Sequence, residues 1–233
     1  MRLAIIPARG GSKRIPRKNI RSFAGQPVLT YPVRAALESN CFDDVIVSTD
    51  DDEIALVARS VGANTPFKRP SVLADDQTLL VDVIAHAIQW FQERGQVVSE
   101  VCCIFATAPF VTSKALRLGL DTLQTSRRNF ALSITSFPFP VQRAVKVFAD
   151  GSINAMYPEF RKTRSQDLEP AWHDAGQFCW GTCQAFTDRL PVFSEHTAGV
   201  VLPRHLVQDL DTLEDWRRAE LMYEVLRQSG ELP

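Results

Sequence analysis

A cluster of cationic side chains surrounds a Gly-Gly turn near the start of the chain. Gly10, Gly11 and Ser12 follow a short apolar run, and glycine lets backbone N–H groups converge on an anion because no Cβ stands in the way. The basic residues around this turn are Arg9, Lys13, Arg14, Arg17, Lys18 and Arg21. The whole chain has a formal net charge of −1, so this positive field is local. Such a field suits a polyphosphate ligand in a cleft, although a solvated basic loop is the simpler alternative.

This basic loop differs from the two best-known phosphate-binding motifs. A Walker A loop needs G-x-x-x-x-G-K-[ST], whereas here the two glycines are adjacent and Ser12 precedes Lys13. The G-x-G-x-x-G pattern of dinucleotide-binding proteins is also missing from this turn. The loop therefore predicts phosphate binding by another class of nucleotide-binding protein.

Two carboxylates near the end of the chain form a second candidate site. Asp209 and Asp211 are two residues apart, so in an extended segment both side chains point to the same side. Mg²⁺ binds through one or two carboxylates together with substrate phosphates, and this pair fits that pattern. Asp211 could instead cap the last helix, with Glu214 three residues on. The residues alone leave both interpretations open.

A second D-x-D pair follows an earlier apolar run. Asp50 and Asp52 are typical of a glycosyltransferase that binds a nucleotide sugar through a divalent metal ion. We prefer to interpret them as the negatively charged start of a helix, because carboxylates there interact favourably with the helix dipole. A glycosyltransferase would also not account for the Gly-Gly-Ser-Lys turn.

Alternation of apolar strands with amphipathic helices predicts an α/β fold with a largely parallel sheet. The hydrophobic pattern predicts strands at 3–6, 44–48, 101–105, 130–136, 144–148, 178–186 and 200–202. It predicts helices at 27–39, 53–61, 78–94, 113–124, where Ser113 is the expected cap, and 213–226. Residues 149–177 have no steady period, which in a compact domain is typical of a functional segment or an oligomerisation arm.

Composition excludes several classes of protein. The chain has 233 residues, with 26 basic and 27 acidic side chains, and this balance does not favour nucleic-acid binding. No apolar run reaches the about 20 residues of a membrane span, and the chain begins directly with a strand, so we expect a cytoplasmic protein that binds neither nucleic acid nor membrane. The five cysteines are expected to be reduced thiols in the core, and a zinc site is not expected.

The sequence P-A-R-G-G-S-K-x-I-P-x-K-N, from Pro7 to Asn19, resembles the nucleotide-binding signature of the cytidylyltransferases that activate nine-carbon acidic sugars, the CMP-sialic acid synthetase family. The resemblance covers nearly the whole chain. It implies a Rossmann-like three-layer nucleotidyltransferase fold, in a single domain whose residues 138–178 form an insertion. It also implies CTP as co-substrate and Mg²⁺ as cofactor, held by Asp209 and Asp211.

The resemblance also assigns site residues. Arg69 and Pro70, with Leu73 and Asp75, resemble the family's nucleotide-side loop. The nucleotide-binding residues implied are Ala8, Arg9, Gly10, Gly11, Ser12, Lys13, Lys18, Asn19, Arg69, Asp75 and Thr107. Catalytic roles fall on Arg9, Lys13, Lys18 and Asp211. The sugar-binding residues implied are Phe105, Arg164, Gln177 and Phe178. Arg161 and Lys162 join Arg164 as candidates to pair with the sugar carboxylate, whereas His173 is interpreted as a hydrogen-bonding residue.

The sugar side separates branches of the family. Sialic acid synthetases often carry L-Q-P-T-S-P after the central strand, and here Phe105 stands at the glutamine position. The segment from Ala106 to Phe110, together with the segments that begin at Arg164 and His173, resembles the branch that takes pseudaminic acid. N-acetylneuraminic or legionaminic acid is the alternative substrate. A catalytically silent nucleotide-binding module is the alternative of a different class. The resembling enzymes are dimers in which the insertion reaches the neighbouring subunit, so a homodimer is expected.

Overall fold

The computed structural model describes residues 1–232, in which a central sheet is flanked by helices. The strands are β1 Arg2–Pro7, β2 Ser22–Phe23, β3 Gln26–Pro27, β4 Asp44–Ser48, β5 Glu100–Ile104, β6 Phe130–Ser136, β7 Val145–Val147, β8 Ile153–Ala155, β9 Trp172–Thr182 and β10 Thr197–Val201. The α-helices are α1 Thr30–Ser39, α2 Asp52–Ser60, α3 Leu80–Gln92, α4 Ser113–Ser126, α5 Cys183–Thr187 and α6 Leu213–Gln228. Short 3-10 turns cover Lys18–Ile20, Ser71–Leu73, Val141–Arg143, Pro158–Phe160, Ser165–Asp167 and Arg204–Leu206.

The six strands of the central sheet lie in the order β10-β6-β9-β5-β1-β4. β1 pairs in parallel with β4 and β5, and β10 pairs in parallel with β6. Only β9, within the described residues, runs antiparallel to its neighbours in this sheet. The predicted α/β fold with a mostly parallel sheet is therefore confirmed. The carboxyl ends of β1, β4 and β5 meet at one edge, which is where ligands bind in open α/β sheets.

The apolar run of β1 explains why it is the centre of the sheet. Leu3 and Ile5 have no exposed surface and belong to a core cluster on one face, whereas Ala4 and Ile6 belong to the cluster on the other face. A strand covered by helices on both sides has no solvent face, so its sequence is continuously apolar rather than alternating. β1 therefore holds the basic loop, which begins directly after Pro7, at a fixed position over the sheet.

A third core cluster joins the far end of the basic loop to α6. Phe23 lies at its centre and makes edge-to-face ring contacts with Tyr31, Phe110, Trp216 and Tyr223 at centroid distances of 5.5, 6.3, 5.7 and 5.5 Å. Such contacts contribute about 0.5–1.5 kcal/mol each beyond burial. Ile15, in the middle of the loop, is fully buried in the same cluster. The loop is thus anchored at its start by β1 and at its middle by the last helix.

Several predicted boundaries were wrong. α1 begins at Thr30 rather than at residue 27. Thr112, not Ser113, caps α4, because its side chain accepts the Ala115 N–H at 3.1 Å. The strand expected at 178–186 begins earlier, at Trp172, and ends at Thr182, whose hydroxyl caps the short helix α5. Part of the segment interpreted as irregular is therefore the first half of β9, and another part is β8.

Residues 137–172 project an exposed apolar surface. β7 and β8 form an antiparallel hairpin outside the central sheet, with Val147 opposite Ile153, exposed by 70% and 66%. The large apolar side chains exposed in this part of the chain are Phe137, Phe139, Val145, Val147, Phe148, Ile153, Met156 and Trp172. All five cysteine thiols are buried and unpaired, as expected. Within residues 1–232 no helix is both long and apolar enough to cross a membrane.

Candidate active site

The start of the basic loop packs closely against the segment after β4. The Ala8 N–H donates to the Ser48 carbonyl at 2.9 Å, and the Gly10 N–H donates to the Asp50 carboxylate at 3.0 Å. A Cβ placed on Gly10 would lie 2.7 Å from Oδ2 of Asp51, which no real side chain tolerates. Gly10 is thus required by this close approach, and its N–H is already occupied. The expectation that it cradles an anion is not supported by this arrangement.

Arg17 holds the other end of the loop to α2. Its backbone is in the left-handed region with φ of 54°, and its guanidinium contacts the carboxylates of Asp51 and Glu53. Asp51 also caps α2, since its Oδ1 accepts the N–H groups of Glu53 and Ile54 at 3.0 Å each. The hydrogen bond from Arg17 lowers the pKa of Asp51 below its ordinary value. Asp51 therefore stabilises a helix and the loop at once.

A cleft of about 290 Å³ opens between the basic loop, the segment after α2 and the start of α3. It is lined by Pro7, Arg9, Ser12, Lys13, Arg14, Ile15, Lys18, Asn19, Arg69, Leu73, Asp75, Asp76, Thr78, Leu80, Val83 and Thr107. The structure thus brings together eight of the residues that the sequence assigned to nucleotide binding: Arg9, Ser12, Lys13, Lys18, Asn19, Arg69, Asp75 and Thr107. Ala8 is buried in the core and does not line this cleft.

Asp76 neutralises two of the cleft cations. Its Oδ1 lies 2.8 Å from Nη1 of Arg9, and its Oδ2 contacts Nζ of Lys13. Asp75, the residue named from the sequence, uses its carboxylate differently: it accepts the Gln77 and Thr78 N–H groups and the Thr78 hydroxyl. The resemblance to the nucleotide-side loop named Asp75, which does line the cleft, but it did not name Asp76, whose carboxylate contacts the cleft cations. Asp75 shapes the turn that presents Asp76.

Arg69 is a buried cation in the wall of the cleft. Only 5% of Arg69 is exposed, and its guanidinium donates to the hydroxyl of Ser48 at 3.1 Å and to the Ser48 carbonyl. Burial lowers the pKa of Arg69 to about 10, while Asp50 opposes this effect. The side chain remains charged at neutral pH. Asn19 donates its amide to the Arg9 carbonyl at 2.9 Å, which fixes the loop and leaves the amide oxygen as an acceptor.

Asp211 joins the C-terminal segment to the cations of the loop. Its Oδ1 lies 3.3 Å from Nζ of Lys18, and its Oδ2 lies 2.5 Å from Nη1 of Arg14. Although burial opposes it, the hydrogen bond from Arg14 and the charge of Lys18 lower the pKa of Asp211. The capping interpretation of Asp211 was wrong. Thr212 caps α6, and its partner in the reciprocal capping box is Asp215, not Glu214.

Asp209 lies at the boundary between this region and a second, larger cleft. Burial, followed by the charge of Asp211, raises the pKa of Asp209. The second cleft has a volume of about 790 Å³. Its lining residues are Thr135, Ser136, Pro138, His173, Asp174, Ala175, Gly176, Arg204, His205, Val207, Gln208, Asp209, Arg218 and Met222. The Asp209–Asp211 pair thus links two clefts, one rich in loop cations and one lined by mixed polar groups.

The donor set at Asp209 and Asp211 fits a hard cation. Burial and, second, the charge of Asp211 raise the pKa of Asp209, and a bound divalent ion would offset the repulsion between the two carboxylates. Within residues 1–232, no cluster of three or more His, Cys, Asp or Glu side chains is placed to bind a metal by itself. A Mg²⁺ ion at this pair would therefore take its remaining ligands from water and phosphate, as is usual for this ion.

The carboxylates of Asp50 and Asp52 do not form a site. Asp50 accepts the Gly10 N–H, whereas the exposed Asp52 pairs with Nζ of Lys68 at 2.9 Å. The two carboxylates thus face different partners and do not converge on one cation. This D-x-D pair therefore does not support a glycosyltransferase. The interpretation as the start of a helix is confirmed, since α2 begins at Asp52.

The four residues assigned to the sugar are dispersed. Phe105 lines an apolar cavity of about 330 Å³ that shares Leu80 with the first cleft and Asp174 with the second. Gln177 is buried and donates its amide to the Leu206 carbonyl at 2.5 Å. Phe178 has no exposed surface and packs in the core, so its ring is not available to a ligand here and that prediction is corrected. Arg164 is exposed in the 137–172 segment and pairs with Asp167.

Comparison with protein families decides the class of this site. The family described as cytidylyltransferase matches residues 3–166, which include the basic loop, the Arg69 segment and Thr107. The chain belongs to the cytidylyltransferase family. The match covers most of the chain, including the carboxyl ends of β1, β4 and β5 that surround the first cleft.

Curated relatives of this cytidylyltransferase include enzymes that act on different acidic sugars. The pseudaminic acid cytidylyltransferase of Campylobacter jejuni is 41% identical over 228 residues, which is 98% of each chain. The CMP-N,N'-diacetyllegionaminic acid synthase of Legionella pneumophila is 29% identical and covers 96% of each chain. A solved structure of a CMP:2-keto-3-deoxy-manno-octonic acid synthetase superposes with a TM-score of 0.68 at 15% identity, over 96% of this chain and 98% of that one, which supports the nucleotidyltransferase fold.

Some lining residues were missed by the sequence argument. Asp76 was not named because the resemblance to the nucleotide-side loop extends only to its neighbour Asp75. Arg204, His205 and Arg218 line the second cleft of this cytidylyltransferase but belong to a 3-10 turn and to a helix with no recognisable motif. A scan for basic residues flanking the D-x-D segment would have found them.

We predict that Asp51→Ala lowers the free energy of unfolding by about 1–2 kcal/mol at neutral pH, because it removes both the α2 cap and the Arg17 pair. Asp51→Asn should cost less, since asparagine also caps helices and only the charge is lost. The folded-state pKa of Asp51 is depressed, so its ionic contribution is present above the unfolded value and is lost as pH falls below about 4.

Urea denaturation of both variants, at neutral pH and at about pH 3, measures these differences. Asp52→Asn is the matched control, because its carboxylate is exposed and pairs only with Lys68. If Asp51→Asn were as destabilising in acid as at neutral pH, the charge of Asp51 would not be the source of its contribution.

Proposed function

We propose that this cytidylyltransferase transfers CMP from CTP to the anomeric hydroxyl of a nine-carbon 2-keto acidic sugar and releases pyrophosphate. The observation that carries the proposal is the convergence of Arg9, Lys13, Arg14 and Lys18 on one cleft at the carboxyl ends of the parallel strands. Family membership and the similarity to the Campylobacter enzyme support the same assignment. Four cations share only two carboxylates here, Asp76 and Asp211, so a triphosphate would supply the negative charge that balances them.

The chain's part in this reaction is positioning and charge neutralisation. In-line attack of the sugar hydroxyl on the α-phosphorus needs the phosphates held in one orientation, which the anchored loop provides. Arg9, Lys13 and Lys18 would hold phosphate oxygens, and the negative charge that develops on the departing pyrophosphate would be stabilised by the same side chains. Lys18 is well placed for this, because its side chain is only 15% exposed and therefore acts where solvent screening is weak.

Mg²⁺ is proposed as the cofactor, held by Asp209 and Asp211. When bound, such an ion neutralises phosphate charge and lowers the pKa of a coordinated hydroxyl. The chain contributes the two carboxylates and keeps them close to Lys18 and Arg14, which orient Asp211. The general base remains without a candidate among the residues that line the first cleft.

The sugar is proposed to bind in the second cleft, next to Asp209. Arg204, His205 and Arg218 line this cleft and can pair with the sugar carboxylate. Phe105 lines the apolar cavity that adjoins both clefts, and an aromatic ring there offers neither the donor nor the acceptor of a glutamine amide. We therefore propose pseudaminic acid as the preferred substrate, and the similarity to the Campylobacter enzyme supports it.

We further propose that the protein is a cytoplasmic homodimer. Its exposed apolar side chains are concentrated in residues 137–172, and a monomer rarely leaves such a patch in water. A second copy that covers this surface would also bring Arg164 towards a neighbouring cleft. Dependence on CTP and the five unpaired cysteines favour the reducing cytoplasm.

Pyrophosphate release tests the function directly. The purified protein is given CTP and Mg²⁺ with pseudaminic, legionaminic or N-acetylneuraminic acid in parallel. We expect release with pseudaminic acid. Release only with another sugar would keep the reaction and change the substrate, whereas CTP binding without release from any of them would indicate a silent nucleotide-binding module.

We predict that Lys18→Ala raises the barrier by about 2–4 kcal/mol, a loss of roughly 30- to 1,000-fold in kcat/KM, because it removes an electrostatic donor from the reacting phosphates. The free energy of unfolding should change by less than about 1 kcal/mol, since Arg14 still pairs with Asp211. Lys68→Ala, which removes an exposed lysine outside the cleft, is the control and should keep normal kinetics. Near-normal turnover in Lys18→Ala would remove this lysine from the mechanism.

We predict that Ile153→Asp dissociates the dimer, because it places a charge in the apolar surface proposed to be covered by the second copy. Sedimentation equilibrium measures the result. Val97→Asp is a matched control, since Val97 is 81% exposed and lies outside the 137–172 segment. A wild-type protein that sediments as a monomer, or an Ile153→Asp dimer as stable as the wild type, would contradict the proposed interface.

A further inference from the structure

The carboxylate of Asp76 occupies the cationic end of the first cleft. It contacts Nη1 of Arg9 at 2.8 Å and Nζ of Lys13, which are two of the cations proposed to hold phosphate. Within residues 1–232, these two side chains are its hydrogen-bonding and ionic partners. The contact with Lys13, followed by the charge of Arg9, lowers the pKa of Asp76, so the carboxylate is ionised at neutral pH.

Two other acidic residues that contact the loop, Asp50 and Asp51, have structural duties that Asp76 lacks. Asp51 caps α2, and Asp50 accepts the Gly10 N–H. Asp76 caps no helix and accepts no backbone N–H in the described chain. Its turn is held by Asp75, whose carboxylate accepts two N–H groups and one hydroxyl. Asp76 can therefore leave its partners without loss of the turn that carries it.

We propose that Asp76 is an internal counter-ion that stands in the place of a nucleotide phosphate and is displaced when the nucleotide binds. The inference rests on the proposed function, because it takes phosphate to be the ligand of Arg9 and Lys13. The same N–H groups cannot serve a carboxylate and a phosphate oxygen fully at once. A carboxylate that stayed beside the triphosphate would also repel it. Binding of CTP therefore includes the loss of two ion pairs.

This exchange has consequences at both ends of the reaction. Before the nucleotide binds, Asp76 holds Arg9 and Lys13 close together at the site proposed for the phosphates. The two ion pairs of Asp76 must break when CTP binds, which weakens the affinity for CTP. After the transfer, the carboxylate of Asp76 competes with pyrophosphate for Arg9 and Lys13. Asp76 is thus a positioning residue that sets nucleotide affinity and product release, not a group that reacts.

Isothermal titration with CTP, and separately with inorganic tripolyphosphate in the absence of Mg²⁺, tests this role without any sugar. Asp76→Asn keeps the size of the side chain and removes the charge. We expect it to bind both ligands about two- to fivefold more tightly than the wild type, which is the upper part of the range that partly exposed ion pairs contribute. Asp52→Asn removes an equivalent charge outside the cleft and should leave both affinities unchanged.

Two further measurements separate this role from alternatives. Steady-state kinetics of Asp76→Asn should show a lower KM for CTP and stronger inhibition by added pyrophosphate. In a Lys13→Met background, the gain from Asp76→Asn should shrink, because one of the two ion pairs is already missing. Asp76→Ala repeats the titration with a side chain that can form neither hydrogen bond.

The outcomes are distinct from those of the function test. Unchanged or weaker tripolyphosphate binding in Asp76→Asn overturns the counter-ion role, even if the wild type turns over normally. Weaker CTP binding together with a higher Mg²⁺ requirement would also overturn it, and would make Asp76 a metal ligand instead. Tighter tripolyphosphate binding without turnover on any sugar would support the counter-ion role and reject the proposed transfer reaction.

Discussion

The cations of one short loop repel one another, and the rest of the site is arranged so that carboxylates offset this repulsion. Arg9, Lys13, Arg14, Arg17 and Lys18 lie within ten residues, and like charges at such spacing destabilise a folded loop. The chain offsets this with carboxylates from three distant segments: Asp76 before α3, Asp211 before α6, and Asp51 with Glu53 at the start of α2. The loop thus has a defined shape because three other parts of the molecule converge on it.

The same pairs arrange the clefts. Each carboxylate that meets the loop comes from a connection at the carboxyl end of the sheet or from the segment preceding the last helix. Asp51 connects α2 to the loop, and Asp76 connects the segment before α3 to the first cleft. Asp211 contacts the loop cations, and its neighbour Asp209 lies at the edge of the second cleft. Electrostatic compensation and cleft geometry are therefore one feature of this structure. The aromatic cluster around Phe23 adds the apolar support, since it fixes Ile15 and α6 together.

The architecture could be predicted from the sequence because its strands are buried on both faces and read as continuous apolar runs. The basic loop, the Arg69 segment and the D-x-D pair were also recognisable, since each is a local pattern.

The predicted element boundaries that were wrong depend on contacts with segments distant in the sequence. β9 begins at Trp172 because it pairs with β6, a partner that no local pattern in 149–177 records. Asp75 and Asp76 are adjacent and identical in type, so the sequence cannot tell which carboxylate holds the turn and which contacts the cations. The geometry of the turn decides this. Phe178 lies in the core because β9 is an inner strand covered on both faces at this point, and Gln177 and Cys179 on its other face are buried as well.

The pairing of Lys18 with Asp211 joins residues that are 193 positions apart in the chain. Because this contact joins segments so far apart, its closure costs chain entropy, and we expect it to form after the local contacts of the loop. Synthesis adds to the delay. The basic loop leaves the ribosome before Asp211, which lies 193 positions further along the chain than Lys18. Until the Asp211 segment is synthesised, the nascent chain exposes a strongly cationic segment that has only some of its carboxylate partners. A molecule that binds the nascent chain at this stage would contact those charges before the cleft has formed.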